Sequence, residues 1–134
     1  MAIVHEDDVR DGMADTVVDA IDVGTADANG DLEIAVLADF VTVLSTIQLA
    51  NPAFGAGGAV VTGRADANGL PLEDASAVGG GNAGVFRTRS RDNTEIFRGT
   101  VTATGGGGDM QLSSIAIANG DAVRLNTFTY TSPP

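Results

Sequence analysis

Near the start of the chain, apolar residues recur every fourth position, at Val9, Met13, Val17 and Ile21, with Ala14 and Val18 beside them. That spacing predicts an amphipathic helix over residues 6–21, with Asp7, Asp8, Asp11, Asp15 and Asp19 on its outer face and an end before Gly24. Its early acids also suit the positive end of the helix dipole. After Gly24 the period changes from four to two. LEIAVL, FVTVLSTIQL, GAVVTGRA, GVFRTRS, TEIFRGTVTA, MQLSSIAI and AVRLNTFTYTS are short, often alternating, and rich in Val, Ile, Thr and Phe. Turn clusters separate them: DANGD, ANPAFGAGG, ANGLPLEDASAVGGGNA, RDN, GGGGD and ANGD. Seven such segments between glycine-rich turns predict an all-β fold, an antiparallel β-sandwich of jelly-roll kind, with strands over residues 31–131. The chain reads as a single domain over 1–134, and residues 66–82 as its one long, flexible surface loop. The helix either covers an open end of the sandwich or docks onto a neighbour.

FRTRSRDNTEIFRG reads as a hairpin with Val85, Arg87 and Arg89 on one face and Phe86, Thr88 and Ser90 on the other. Arg98 lies on the returning strand, so Arg87, Arg89, Arg91 and Arg98 gather four of the seven arginines in one hairpin. Two readings stand. Either they pair with the chain's own acids, or they form a contact face for an acidic neighbouring subunit, since guanidinium forks fit carboxylates and are enriched at interfaces.

Charge changes the picture further. Net charge is -11, with 14 Asp, 4 Glu and no lysine. Short carboxylates hold water and cations, and their mutual repulsion fades at molar salt, where the Debye length is about 3 Å. The composition reads as adaptation to a high-salt cytoplasm of haloarchaeal type; an acidic mesophilic protein or a DNA mimic are the alternatives. Sequence-independent binding to nucleic acid is not expected, because phosphates call for a basic footprint. No apolar run reaches the ~18 residues of a membrane span, so no membrane partner is expected, and MAIVHEDDVRDG lacks the basic and apolar blocks of a secretory signal.

Catalytic chemistry finds little footing. There is no cysteine, and the one histidine, His5, sits near the end of the chain as an expected exposed residue. A serine or cysteine triad therefore has no base within the strand region. GGGGD at 105–109 lacks the Gly-Lys-Ser/Thr of a phosphate loop, and GAGGAV at 55–60 leads into a strand pattern, not a helix. The pentapeptide ADANG occurs twice, at 26–30 and 65–69. Its first copy puts Asp27, Asn29 and Asp31 at alternate positions, like the opening of a calcium loop. The bidentate acid would then fall on Ala38, with Asp39 next door, and the glycine precedes the third ligand. Asn-Gly is also the strongest signal for a tight turn with positive φ. The turn reading is favoured, ANGD at 118–121 being the same device, and Asp27, Asn29 and Asp31 stay the only metal candidates. No cofactor and no catalytic residue is expected.

Taken in order, DVRDGMADTVVDAI, QLANPAFGAGGAVVTG, NAGVFR, TEIFRGTV and GGGDMQLSSIAIANGDAVRLNTFTYTSPP resemble a family of small proteins encoded in tailed phages and prophages. The resemblance spans about residues 8 to 131 and is most specific at Asn51 to Gly55 and in the C-terminal third. The chain departs from the family pattern in its acidity, in the added charges of RTRSRDN, and in Phe86, which has no preceding tryptophan. The resemblance implies a virion protein assembled in the host cytoplasm, without catalytic residues. It further implies other virion proteins as partners, among them the major capsid protein or tail and neck proteins, and a homo-oligomer such as a trimer. A head-surface decoration or cement protein is the expected role, with neck, tail or baseplate components as alternatives. A carbohydrate-binding module on the host surface is the competing class. It is disfavoured by the lack of tryptophan and by Phe54, Phe86, Phe97 and Phe128, which fall in core positions of the pattern. A DNA-mimicking inhibitor is a third reading, and an enzyme is the least supported.

Overall fold

The computed structural model describes residues 3–134. Strands dominate it, with one short helix near the N-terminal end and a main sheet that curls. Helix α1 (Asp7–Asp19) runs into a single 3-10 turn (Ala20–Asp22), close to the expected span. The face it buries differs from the predicted stripe. Ala14, Val18 and Ile21 are sealed, Met13 and Val17 are half-buried, and Val9 stays 48% exposed. The cause lies in residues 53–63, whose backbone presses on the helix so closely that a Cβ on Gly57 would sit 3.2 Å from that of Ala14.

Two aspartates expected on the outer face turn inward for the same reason. The Asp11 carboxylate accepts the Gly63 N–H and that of Asp15 accepts the Gly57 N–H, both at 2.6 Å. One turn past the helix, Asp22 accepts the Ala53 N–H through both oxygens, at 3.0 and 3.2 Å. Positions 11, 15 and 22 follow one helical line, with Val18 filling the gap. A loop without ladder partners must satisfy its N–H groups elsewhere, and carboxylates are strong acceptors for them.

Eleven strands follow: β1 (Asp31–Ala35), β2 (Val43–Gln48), β3 (Arg64–Asp66), β4 (Leu72–Asp74), β5 (Gly81–Asn82), β6 (Val85–Arg89), β7 (Glu95–Ala103), β8 (Met110–Leu112), β9 (Ala116–Ile117), β10 (Val123–Leu125) and β11 (Thr129–Thr131). The main sheet has the order β2-β1-β6-β7-β8, and β10–β4, β11–β3 and β5–β9 form three two-stranded ribbons. The expected seven segments are thus cut more finely. GAVVTGRA becomes strand only at its end: Asp11 holds its Gly63 N–H, its Gly58 and Arg64 N–H groups close turns within it, and Val60 is 70% exposed. MQLSSIAI breaks at Ser113 and Ser114, and AVRLNTFTYTS breaks at 126–128, each half pairing with a different ribbon or sheet. Residues 66–82, expected as a flexible surface loop, hold β4 and β5; Ala77 is buried, and the Val78 N–H donates to Leu44 O at 3.0 Å.

One pairing breaks the expected antiparallel rule: β7 and β8 run parallel. Parallel neighbours ordinarily need a crossover of a dozen or more residues, yet only residues 104–109 separate these two. The glycine run makes this reversal feasible. Gly105 and Gly107 adopt φ of 87° and 80°. Gly106 and Gly108 lie on Thr102, where added Cβ atoms would come within 2.7–2.8 Å of its side chain. Asp109 then locks the return by accepting the Thr100 N–H and hydroxyl at 2.9 and 3.0 Å.

Register places alternate residues on opposite faces. Ile47, Leu32, Thr88 and Phe97 form one inner row, and Ser45, Ile34, Phe86 and Gly99 the next. Gly99 makes room for the Phe86 ring, which a Cβ there would meet at 2.6 Å. Phe86 packs with Phe54, Phe97 and Phe128 in an aromatic cluster, with ring centroids 5.4 Å apart for Phe54–Phe128 and 5.8 Å for Phe86–Phe128. The phenylalanines expected in the core are there, Phe97 only partly buried.

Candidate functional site

The outer face of the same strands carries the arginines. Its two rows read Thr46, Glu33, Arg87, Arg98 and Gln48, Asp31, Arg89, Glu95 across β2, β1, β6 and β7. Strand alternation brings Arg87 and Arg89 together as the sequence predicted, and Arg98 joins them from the returning strand. Arg91 lies beyond the sheet at the hairpin tip, where its Nε donates to Asp27 O at 2.9 Å.

Each guanidinium on the face is held by acids of the chain itself. Arg89 grips Asp31 with two bonds of 2.9 and 2.6 Å and reaches Glu33 at 3.2 Å. Arg87 donates to Glu33 at 2.7 Å and lies 3.6 Å from Glu95. Arg98 forks onto Glu95 at 2.5 and 2.8 Å and donates to Ala38 O at 3.1 Å. Three arginines and three acids cancel here, so this face is neutral within a chain of net charge -11. The bonding from Asp31 holds the Arg89 guanidinium above its ordinary range, and Glu95 does the same for Arg98. Arg98, in turn, pulls the Glu95 carboxyl below its ordinary range.

Phe40 completes the face from the loop between β1 and β2. Its backbone has φ of 53°, a conformation that non-glycine residues seldom adopt. The Arg87 guanidinium carbon stands 4.2 Å above its ring centroid and that of Arg98 stands 5.6 Å away, within cation–π range. Phe40, Glu33 and Glu95 were not singled out in the sequence. The signal for Glu33 was present: acids at 31 and 33 alternate on one strand as Arg87 and Arg89 do on another. Nothing local marks Phe40 or Glu95.

The three metal candidates line one shallow pocket with Thr46, Gln48, Arg89 and Asn93, but each is already bonded within the chain. The Asp27 carboxylate accepts from Asn93 Nδ2 at 2.8 Å, the Asn29 amide donates to Leu49 O at 2.7 Å, and Asp31 is taken by Arg89. Among the described residues no group of three or more His, Cys, Asp or Glu is arranged to hold a metal. The first ADANG is also not the expected tight turn. Gly30 lacks a positive φ, and a Cβ there would collide with the Ile21 side chain and the Arg89 carbonyl, so it serves close packing. Gly69 and Gly120 do have positive φ, 72° and 92°. Residues 21–29 instead clasp the hairpin tip. Asp92 accepts the Thr25 and Ala26 N–H groups at 2.9 and 3.1 Å, which lowers its pKa. His5, expected to be free, is half-buried, with its Nδ1 2.9 Å from Pro134 O.

No family model, curated protein or solved structure matches this chain.

Proposed function

We propose that this chain is a non-enzymatic structural protein of a tailed virus of a halophilic host, most simply a decoration or cement protein on the head surface. In this reading the strands close into a sandwich of jelly-roll kind, antiparallel except between β7 and β8, and the protein docks repeatedly on a lattice of other virion proteins as a homo-oligomer. The observation that carries it is the neutral, pre-set arginine face on an otherwise strongly acidic chain. Arg98 is 49% exposed on its side chain and already fixed by Glu95. A fork held in place loses little freedom when a neighbour's carboxylate or carbonyl arrives. The family resemblance supports the same reading, as does the scarcity of reactive groups in the sequence.

Neck, tail or baseplate positions fit the same chemistry. The carbohydrate-binding class is less well supported. Phe54, Phe86 and Phe128 are core residues, Phe40 lies under two arginines, and Tyr130 packs on Phe97 at 5.2 Å. No aromatic platform for a sugar ring is left among the described residues.

Mass spectrometry of gradient-purified virions tests the proposal. It expects the protein in many copies per particle, and in empty heads if it decorates the capsid. Absence from purified particles sinks it, and presence in tails but not heads moves it to the alternative position.

A further inference from the structure

The two edges of the main sheet are treated differently. Beside β2, the Asp74 carboxylate accepts the Thr46 N–H at 3.3 Å and the Ser45 hydroxyl at 2.7 Å, while Val78 and Gly79 donate to Leu44 O. That edge is covered. At the other side, β8 ends the sheet and has no strand beyond it among the described residues. A groove of about 900 Å³ opens there, between residues 110–114 and residues 121–129. Met110, Leu112, Val123, Leu125 and Phe128 border it with side chains only 4–9% exposed. An open strand edge presents N–H and C=O groups that a further strand can pair with.

The chain also carries an extended segment that pairs with no strand among the described residues. Residues 3–6 lie outside any helix or strand, and Glu6 is extended at φ −61°, ψ 155°. Ile3 and Val4 are β-branched, the side-chain type that strands favour, yet they are 72% and 79% exposed. His5 anchors the root of this strap against Pro134 O. Four extended residues span about 13 Å, enough to run the full length of the three positions of β8, about 10 Å. Period two turns one of Ile3 and Val4 towards the apolar floor. Charge agrees as well. Arg124 stands exposed on the groove wall, and neither it nor Glu6 has an ion pair among the described residues.

We infer that the strap at residues 3–6 of one copy docks as an added strand along the outer edge of β8 in a second copy, with Glu6 facing Arg124. The contact joins two different surfaces, so it runs head to tail, and closure of such contacts gives a ring. The inference deepens the homo-oligomer of the proposed function and rests on that reading only for its purpose in a particle.

Sedimentation equilibrium on the full chain, across a concentration series, is the test. Wild type is expected to associate. I3D/V4D disables the strap and R124E disables the groove, so each should raise the apparent dissociation constant by roughly tenfold or more. An equimolar mixture is the decisive arm. The two variants together retain one intact strap and one intact groove, and should form a 1:1 complex that neither forms alone. Gln111→Pro, checked by circular dichroism for retained fold, should behave as R124E does. A wild type that stays monomeric, variants that associate as wild type does, or a mixture that stays monomeric would each overturn the inference. A protein that associates as described yet is missing from virions keeps it and removes the virion reading instead.

Discussion

Replacing Arg89 by methionine keeps the length and much of the apolar stem while deleting the guanidinium. Asp31 then loses both of its bonds and Glu33 one of its two arginine partners. The side chains of Arg89, Asp31 and Glu33 are 19%, 18% and 9% exposed. Removing one partner of a fully buried pair costs about 3–5 kcal/mol, whereas an exposed pair contributes about 0.2–1 kcal/mol. At this partial burial, R89M should cost about 2 kcal/mol. For a chain of this length that corresponds to a fall in Tm of about 8 °C. Urea unfolding of R89M, D31N and the double variant separates the pair from the rest. The double variant should be milder than the sum of the single ones, with a coupling of about 1 kcal/mol. Repetition in 1 M NaCl adds a second criterion. The screening length there, about 3 Å, is no shorter than these bonds, so more than half the loss should remain. A loss below about 0.5 kcal/mol at both salt levels refutes the argument and reduces the ladder to surface ornament.

Three further predictions follow from local geometry. Gly99→Ala drives a methyl into the Phe86 ring and should cost about 1–3 kcal/mol by overpacking, with Phe86→Leu in the same chain recovering part of the loss in thermal unfolding. Acid titration should separate two kinds of carboxylate. Asp92, Glu95 and Asp109 have folded pKa values below their ordinary ones, owing respectively to backbone N–H bonds, to Arg98, and to Thr100. Their stabilisation is complete above the unfolded values and is lost as pH falls through the folded ones, so the fold should weaken below about pH 4. Asp22 runs the other way: burial raises its pKa, so its charge opposes folding at neutral pH and protonation relieves that. Asp22→Asn, which keeps an acceptor for the Ala53 N–H, should hold or raise Tm at pH 7, while Asp22→Ala should lower Tm and cost about 1 kcal/mol of unfolding free energy. Equal losses in both variants would contradict the assigned cause.

Elements with a strong period were legible in the sequence. The helix ends within a few residues of its expected span, and the hairpin around RDN has the predicted two faces, with Phe86, Thr88 and Ser90 inside. What escaped depends on contacts far along the chain. The helix stripe shifted from Val9 and Met13 to Ala14 because a glycine loop some 40 residues on lies against it, and no periodicity within the helix encodes that. GAVVTGRA has strand composition, but Asp11 claims its Gly63 N–H and Asp15 the Gly57 N–H just before it. The arginine cluster was visible as composition, and its confinement by Glu33 and Glu95 required the register of three strands. Phe40 was hidden because a cation–π contact leaves no spacing signature.

The aspartates that hold residues 53–63 to the helix bear on any attempt to re-engineer this chain for dilute buffer. Swapping acids for neutral or basic residues is the usual remedy for excess negative charge, and Asp7 and Asp8 at the exposed start of α1 are candidates for it. Asp11 and Asp15 are not, and Asp22 tolerates only asparagine, since each accepts a backbone N–H that has no ladder partner. A charge-reversal library scored only for solubility would therefore divide by position, tolerating change at two neighbours and unravelling the adjoining segment at three others. Total charge alone would not reveal the difference.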